Sequence, residues 1–213
     1  MQIIETGLQF EGLRPRNSTS LIVLHHSDSP DVPAAEIHAW HLARGWAGIG
    51  YHFVIRKDGS IERGRPQDMI GAHAGPGVNG HSIGICLCGN FMKELPSDAQ
   101  MISLVGLVAW LQNFYRASAG DVEIKLHRQV AATNCPGILF PVQQFESRLQ
   151  QAVNNKGDVS MEDWKVKIMQ EAKAAGLIQE DHQPDDPAPK WFVLTVALNA
   201  INFINIGGKV HEE

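Results

Sequence analysis

Two predicted strands that end on histidine most constrain the fold of this 213-residue chain. Residues 21–24, LIVL, form a short aliphatic run that stops at His25 and His26, before the turn-rich segment SDSPDVP. About a hundred residues later, VEIKLH ends on His127 in the same way. Sites in alternating α/β structures gather at the ends of strands, so these histidines are candidates for one site.

Helices and strands alternate between these two strand ends. The pattern predicts a helix from Ala34 to Arg44, a hairpin centred on residues 57–59 (KDG), a strand within residues 81–91 and a core-facing helix over residues 100–115. Strands that alternate with helices in this way indicate an α/β sheet with helices packed against it.

The last quarter of the chain reads as a separate region. Residues 154–160, NNKGDVS, are polar and contain glycine, which predicts a linker between a domain of residues 1–153 and a small region of residues 161–213. Two helices are predicted in that small region, which is too short to build a large core of its own. It is a candidate for oligomerisation, as a homo-oligomer through these helices.

Composition excludes several classes of function. With 44% hydrophobic and 19% charged residues the chain is typical of a globular protein, and its net charge of -5 offers no cationic surface for nucleic acid. No apolar run reaches the roughly 20 residues that cross a bilayer. The first residues show no secretory signal, so we expect synthesis in the cytoplasm. The three cysteines make a poor disulfide framework.

A candidate metal site emerges from the segment LHRQVAATNCPG, in which His127 precedes Cys135 by eight residues. Two imidazoles, from His25 and His127, and one thiolate suit Zn²⁺. Three protein ligands leave one tetrahedral position open, which is typical of catalytic zinc. Spacing alone is weak evidence, because the chain has ten histidines.

Four stretches carry a family resemblance. They are LIVLHHSDSP, WHLARGWAGIGYHFVIRKDGSIERGRP, IGAHAGPGVNGHSIGICLCGNF and LHRQVAATNCPG. In this order they resemble successive blocks of the type-2 N-acetylmuramoyl-L-alanine amidases, a family that includes phage lysozyme-type amidases and the peptidoglycan recognition proteins. Together they span most of residues 18–150. The resemblance implies a central mixed β-sheet flanked by helices.

The resemblance also implies an activity and a set of ligands. The activity is hydrolysis of the amide bond between N-acetylmuramic acid and L-alanine of the peptidoglycan stem peptide, in a lytic, endolysin-like role at the bacterial cell wall after release. Family positions carried onto this chain make His25, His127 and Cys135 the ligands of one zinc ion per chain. The resemblance to endolysin-like enzymes also makes binding to the cell wall a second candidate role for residues 161–213.

Further site residues follow from the same blocks. The tyrosine of GYHF, Tyr51, is expected to position the attacking water or stabilise developing charge. Thr133 stands where phage enzymes commonly have lysine, and catalytic recognition proteins often have threonine, so a neutral donor is expected there. His73 and Asn79 are expected at the edge of the groove that holds the muramyl-peptide.

Two other functions are compatible with parts of this pattern. A peptidoglycan-binding receptor of the same fold would bind without cleaving, and such recognition proteins have lost the zinc cysteine, whereas Cys135 is present here. A structural zinc site would need a fourth protein ligand, for which the sequence offers no obvious candidate near the motif.

The remaining histidines, cysteines and aromatic residues have simpler interpretations. Neighbours on a strand face opposite sides, so His26 is expected to pack or to support the site from behind, and His52 to face away from Tyr51. His38 and His41 lie one helical turn apart, where they more often form adjoining polar surface than a metal site. Core positions are expected for Cys86, Cys88, Trp110, Leu111 and Phe114.

Overall fold

The computed structural model describes residues 2–158, without the side chains at positions 117, 119 and 155–158. The helices and strands follow in chain order: β1 (Ile3–Ile4), β2 (Leu21–His26), α1 (Ala34–Ala43), β3 (Phe53–Ile55), β4 (Ile61–Arg63), α2 (Pro76–Asn79), β5 (Ser82–Leu87), α3 (Asp98–Ala119), β6 (Glu123–Leu126) and α4 (Val142–Asp158). A short 3₁₀ turn, His127–Gln129, follows β6 directly.

Within residues 2–158 the strands form one six-stranded sheet in the order β1-β4-β3-β5-β2-β6. The hairpin of β3 and β4 is antiparallel, and every other neighbouring pair is parallel. Crossover helices cover such parallel strands on both faces, which explains why β2 and β5 are buried along their whole length. The expected mixed sheet with flanking helices is confirmed.

Alternation of side chains divides β2 between two environments. Ile22 and Leu24 point to one face of the sheet, where they join the main apolar core. Val23 points to the opposite face, in a smaller apolar cluster, and His25 shares its direction. The sheet therefore separates the main core from the face that carries the candidate site.

The long helix α3 closes the main core. It begins at a capping box. The Ser97 hydroxyl accepts from the backbone N–H of Gln100, and the side-chain oxygen of Gln100 accepts from the backbone N–H of Ser97. The buried Gln100 side chain also donates to the carbonyls of Ile55 and Cys88, which lie at the ends of β3 and β5. These bonds fix the start of α3 against the sheet, and its apolar stripe fills the core.

The prediction that Trp110, Leu111 and Phe114 all lie in the core is wrong for one residue. Leu111 is fully buried and Trp110 is partly buried against the core, but 56% of Phe114 is exposed. Phe114 lies near the end of α3, where it packs edge-on against Tyr115 and beside Trp110 on the surface. Helical periodicity identified the stripe but not how much of it is buried.

The predicted division of the chain remains a prediction. Contacts group the residues into one unit that ends at Val153 and a second that starts at Asn154. Helix α4 continues to Asp158, so the first residues of the predicted linker are helical. The rest of the linker and the two predicted helices of residues 161–213 lie outside the described residues. Within residues 2–158, none of the helices combines the length and the apolar composition of a membrane span.

A truncation in α3 tests the assignment of the core. We expect Leu104→Ala to lower the free energy of unfolding by about 2–5 kcal/mol, because Leu104 is fully buried and its loss leaves a cavity. Ile102 lies on the same helix and is 67% exposed, so Ile102→Ala is expected to change stability by less than about 0.5 kcal/mol. Urea unfolding of both variants measures the difference, and equal losses would contradict the assignment.

Candidate metal centre

Three side chains from separate parts of the chain converge at one end of the sheet. The ligand atoms of His25, His127 and Cys135 all lie within 4.8 Å of one another. The thiol Sγ of Cys135 is 3.8 Å from Nδ1 of His25, and the two imidazole rings have centroids 4.4 Å apart. The three residues that the sequence singles out as ligands are therefore brought together.

Strand register explains why the two histidines meet. Leu24 of β2 pairs with Leu126 of the parallel strand β6. His25 directly follows Leu24, and His127 directly follows Leu126. The carboxyl ends of parallel strands lie at the same edge of a sheet, so the two histidines are neighbours there. The pairing of β2 with β6 thus brings together two histidines that are about a hundred residues apart in the sequence.

The donor set fits a zinc ion. Bond lengths of about 2.0–2.1 Å to nitrogen and 2.3 Å to sulfur place tetrahedral N and S ligands about 3.6 Å apart, close to the separation of His25 Nδ1 and Cys135 Sγ. Burial, reinforced by the neighbouring histidines, holds the pKa of His25 well below its usual value, so this ring is the neutral imidazole that a metal requires. Among the described residues the group has three members, which leaves one tetrahedral position for water or substrate.

Burial also raises the pKa of the Cys135 thiol to about 11, although the His26 backbone N–H donates to its Sγ at 3.4 Å and favours the thiolate. Without a cation this thiol is protonated near neutral pH. A divalent cation reverses that balance, since a coordinating thiol is deprotonated outright. Metal binding at this centre therefore releases a proton.

The loop of Cys135 is held from two sides. The Arg128 backbone N–H donates to the carbonyl of Cys135, and its guanidinium donates to the carbonyl of Gly137. Gly137 has a φ of +107° and lies so close to the backbone of Phe91 that a Cβ atom would clash. The glycine of the CPG sequence is thus required by both conformation and space.

Tyr51 borders the same centre. Its ring centroid is 5.1 Å from that of His25 and 5.7 Å from that of His41. Burial raises the pKa of its hydroxyl well above the usual value, with Cys86 and Cys135 adding to the effect. The phenol is therefore a neutral hydrogen-bond donor at any working pH, as the expected role requires.

His38 and His41 hold the segment that leads to Tyr51. Nδ1 of His38 accepts from the Ile49 N–H at 3.2 Å, and Nδ1 of His41 accepts from the Gly50 N–H at 2.9 Å. The expectation of adjoining polar surface is wrong, because both rings are buried. Backbone amides of a loop without strand partners need acceptors, and these two imidazoles supply them.

His26 and His52 lie outside the ligand cluster. The His26 ring is on the opposite face from that of His25, and its Nδ1 accepts from the Phe91 N–H at 3.0 Å. The His52 ring accepts from the Gly84 N–H at 3.0 Å through Nδ1. The expected alternation at His25 and His26 is therefore observed, and His26 serves the centre through its backbone.

Thr133 lies at the surface, two residues before Cys135. Its Oγ1 accepts from the backbone N–H of Cys135 at 3.2 Å, and its hydroxyl proton points elsewhere by necessity. The expected donor role of Thr133 stays a prediction.

His73 and Asn79 make contacts within the protein. Nδ1 of His73 lies 3.1 Å from Nε2 of His25, behind the ligand ring, and His73 is 9% exposed. Asn79 accepts from the backbone N–H groups of His73 and Ala74 through Oδ1. Their expected contact with substrate stays a prediction.

Cys86 and Cys88 are both fully buried, as expected; Cys88 lies in an apolar cluster, and Cys86 lies beside the centre. In the β2–β5 ladder Cys86 is paired with His25, so its thiol shares the face of that ligand and interacts with the Tyr51 hydroxyl. The period of two places both cysteines on one face of the strand, but it does not say that this face carries the site. Register between β2 and β5 is the signal that would have identified Cys86.

Fold and site together define a class of protein: a mixed-sheet α/β enzyme with a His, His, Cys centre at the carboxyl ends of parallel strands. Comparison with known proteins identifies the family within that class. Residues 15–138 match the N-acetylmuramoyl-L-alanine amidase family. The chain belongs to this family, and it is an amidase.

Relatives and solved structures agree with this assignment. The chain is similar to the endolysin of Escherichia phage T7, at 34% identity over 68% of this chain and 96% of the endolysin. It is also similar to peptidoglycan-recognition protein SC2 of Drosophila melanogaster, at 35% identity over 57% of this chain and 70% of the relative. Among structures, the N-acetylmuramoyl-L-alanine amidase LysC from Clostridium intestinale superposes with a TM-score of 0.66, at 39% identity over 70% of this chain and 98% of that chain.

The buried His41 gives stability a pH dependence. Burial, with Arg44 and Arg65 adding to it, lowers the pKa of His41 from 6.5 to about 4. Between about pH 4 and 6.5 the unfolded chain therefore binds a proton at His41 that the native protein does not. The contribution of the neutral His41 to the free energy of unfolding is fully present above about pH 6.5 and is lost as the pH falls toward 4. We expect His41→Gln to reduce the slope of unfolding free energy against pH in this window by up to about 1.4 kcal/mol per pH unit.

Urea unfolding of the metal-free protein at a series of pH values measures that slope. Losing the hydrogen bond to Gly50 lowers the free energy of unfolding by the same amount at every pH, so only the slope against pH tests the protonation of His41. Parallel curves for the parent and the variant would contradict a neutral His41.

Proposed function

We propose that this amidase uses one zinc ion to hydrolyse the amide bond between N-acetylmuramic acid and L-alanine of the peptidoglycan stem peptide. The observation that carries the proposal is the convergence of His25, His127 and Cys135 with three ligands and no fourth among the described residues. A structural zinc site would need that fourth ligand. A receptor without activity is not favoured either, because the thiol of Cys135 lies within 4.8 Å of the ligand atoms of both histidines.

Zinc held by these ligands supplies a Lewis acid that polarises a carbonyl and activates water at neutral pH. The protein's own contribution is the placement of donors around the reacting atoms. Tyr51 has a neutral hydroxyl next to His25, and Thr133 has a hydroxyl proton two residues from Cys135. We assign both groups to the carbonyl oxygen, on which negative charge grows as water attacks.

The proteins to which the chain is similar support a proposal for its substrate. Endolysins and peptidoglycan-recognition proteins are both similar to it. We propose peptidoglycan as the substrate and the bacterial cell wall as the place of action, in an endolysin-like role. Residues 75–77, in the loop between His73 and Asn79, are exposed to solvent. This exposure leaves the loop accessible to a ligand and supports its expected contact with the muramyl-peptide.

Digestion of purified sacculi tests the reaction and its metal together. We expect the protein to release free stem peptides with an intact amino-terminal alanine, a chelator to abolish the release, and Zn²⁺ to restore it. Cys135→Ser is expected to abolish activity at ordinary zinc concentrations, because the soft thiolate ligand is lost. Mass spectrometry of the products identifies the bond that is cut.

Cys88→Ser is the matched control. The Cys88 thiol is buried among apolar side chains and donates to the Val32 carbonyl at 3.1 Å, a bond that a serine hydroxyl can also make. We expect this variant to keep its activity. Release of stem peptides that persists in a zinc-free, chelator-treated sample would contradict zinc dependence, and cleavage at another bond would contradict the proposed reaction.

Tyr51→Phe tests the role of the phenol. The ring still packs against His25 and His41, so we expect folding and zinc content to be unchanged, while kcat falls by about 10²–10³-fold through loss of one donor to the oxyanion. Tyr115→Phe is the control, because the Tyr115 hydroxyl contacts Gln67, in a part of the fold that contains none of the ligands. Equal rates for the two variants would remove Tyr51 from the mechanism.

A further inference from the structure

We propose that His73 is a positioning residue that orients the metal ligand His25 through a chain of hydrogen bonds. This inference rests on the zinc centre proposed above. Nε2 of His25 lies 3.1 Å from Nδ1 of His73, and this pair is buried. The other nitrogen of the His25 ring, Nδ1, is the one that faces Cys135. One end of the ring is therefore turned toward the metal and the other toward His73.

The partners fix the protonation of both rings. If Nδ1 of His25 is the metal ligand, Nε2 carries the proton and donates to Nδ1 of His73. His73 must then carry its own proton on Nε2, which lies 3.4 Å from the hydroxyl oxygen of Ser82. That hydroxyl donates onward to the carbonyl of Val78 at 2.8 Å. Every donor in this chain meets an acceptor, and the direction is the same throughout.

The backbone around His73 is shaped to hold an imidazole. Ideal Cβ atoms at Gly71 and Gly84 would come within 2.5 Å of its ring carbons, so any larger residue at either position would displace the ring. Asn79 holds the main chain at the same place, by accepting from the N–H groups of His73 and Ala74. Two glycines and one amide thus define the position of the ring.

This arrangement has a known physical use. A metal-bound histidine that donates its second N–H is fixed in tautomer and rotation and becomes a better ligand, and loss of the outer partner typically costs 10–100-fold in metal affinity. Simple packing is the alternative, because a buried ring also fills space. The two explanations differ in one respect: packing needs only volume, whereas positioning needs an acceptor at Nδ1.

Three variants separate these explanations by zinc affinity. His73→Leu keeps volume and removes the acceptor, and we expect it to bind Zn²⁺ about 10–100-fold more weakly than the parent. His73→Asn returns an acceptor close to the position of Nδ1, so we expect it to recover most of that loss. His38→Leu is the matched control, because it removes a buried imidazole that accepts from the Ile49 N–H without touching a ligand; its zinc affinity is expected to equal that of the parent.

Competition with a chromogenic chelator measures the affinities, and the absorption bands of the Co²⁺-loaded proteins report the geometry of the ligands. Parent-like affinity in His73→Leu would overturn the proposal, and so would an equal loss in His38→Leu or a failure of His73→Asn to recover binding. These readouts do not involve peptidoglycan. A protein that binds zinc but leaves sacculi intact would therefore refute the proposed reaction and leave this inference standing.

Nuclear magnetic resonance of the zinc-loaded parent provides a test that needs no variant to fold. We expect the nitrogen shifts to show His25 protonated at Nε2 and His73 protonated at Nε2, with Nδ1 of His73 accepting a hydrogen bond. A proton on Nδ1 of His73 would overturn the proposal.

Discussion

The parallel pairing of β2 with β6 is the constraint on which the candidate site depends. Its register sets Leu24 opposite Leu126, and the next residue of each strand is a histidine. Neither strand holds that register alone, because each is short, and the apolar packing of the sheet against α3 selects it. A slip of one residue would turn His25 toward the main core. The energy that stabilises the fold is thus the same energy that aligns the ligands.

The two faces of the sheet bury different kinds of side chain. One face is packed with aliphatic side chains, whereas the other holds several buried imidazoles, including His25, His52 and His73. Burial lowers the pKa of all three, so they remain neutral. Within the described residues no buried side-chain nitrogen or oxygen lacks a partner. A face with this many polar groups is stable only because each one is bonded, which makes it sensitive to single substitutions.

Periodicity predicted β2, β5, β6, the hairpin and the helices α1 and α3, because these depend on local alternation of apolar residues. It did not identify the two-residue strand β1, the short helix α2 or the helix α4. The resemblance supplied the ligand set. Neither could show that His38 and His41 are buried, because their partners are the amides of Ile49 and Gly50 in a loop with no periodic signal. For the same reason the burial of Cys86 is predictable from its strand, whereas its position beside the centre depends on tertiary structure.

Each of the three proposed ligands is held by a different kind of restraint. His25 is fixed by a central strand, His127 by the turn that follows β6, and Cys135 by a loop tied to Arg128. Because these restraints are present in the protein itself, the binding of a metal does not have to order the loops that carry its ligands. Structural zinc sites in small domains commonly depend on the ion for folding, whereas a catalytic centre gains from a ligand set that is formed in advance. A scaffold that is formed in advance therefore leaves the free energy of metal binding at the proposed centre available for affinity.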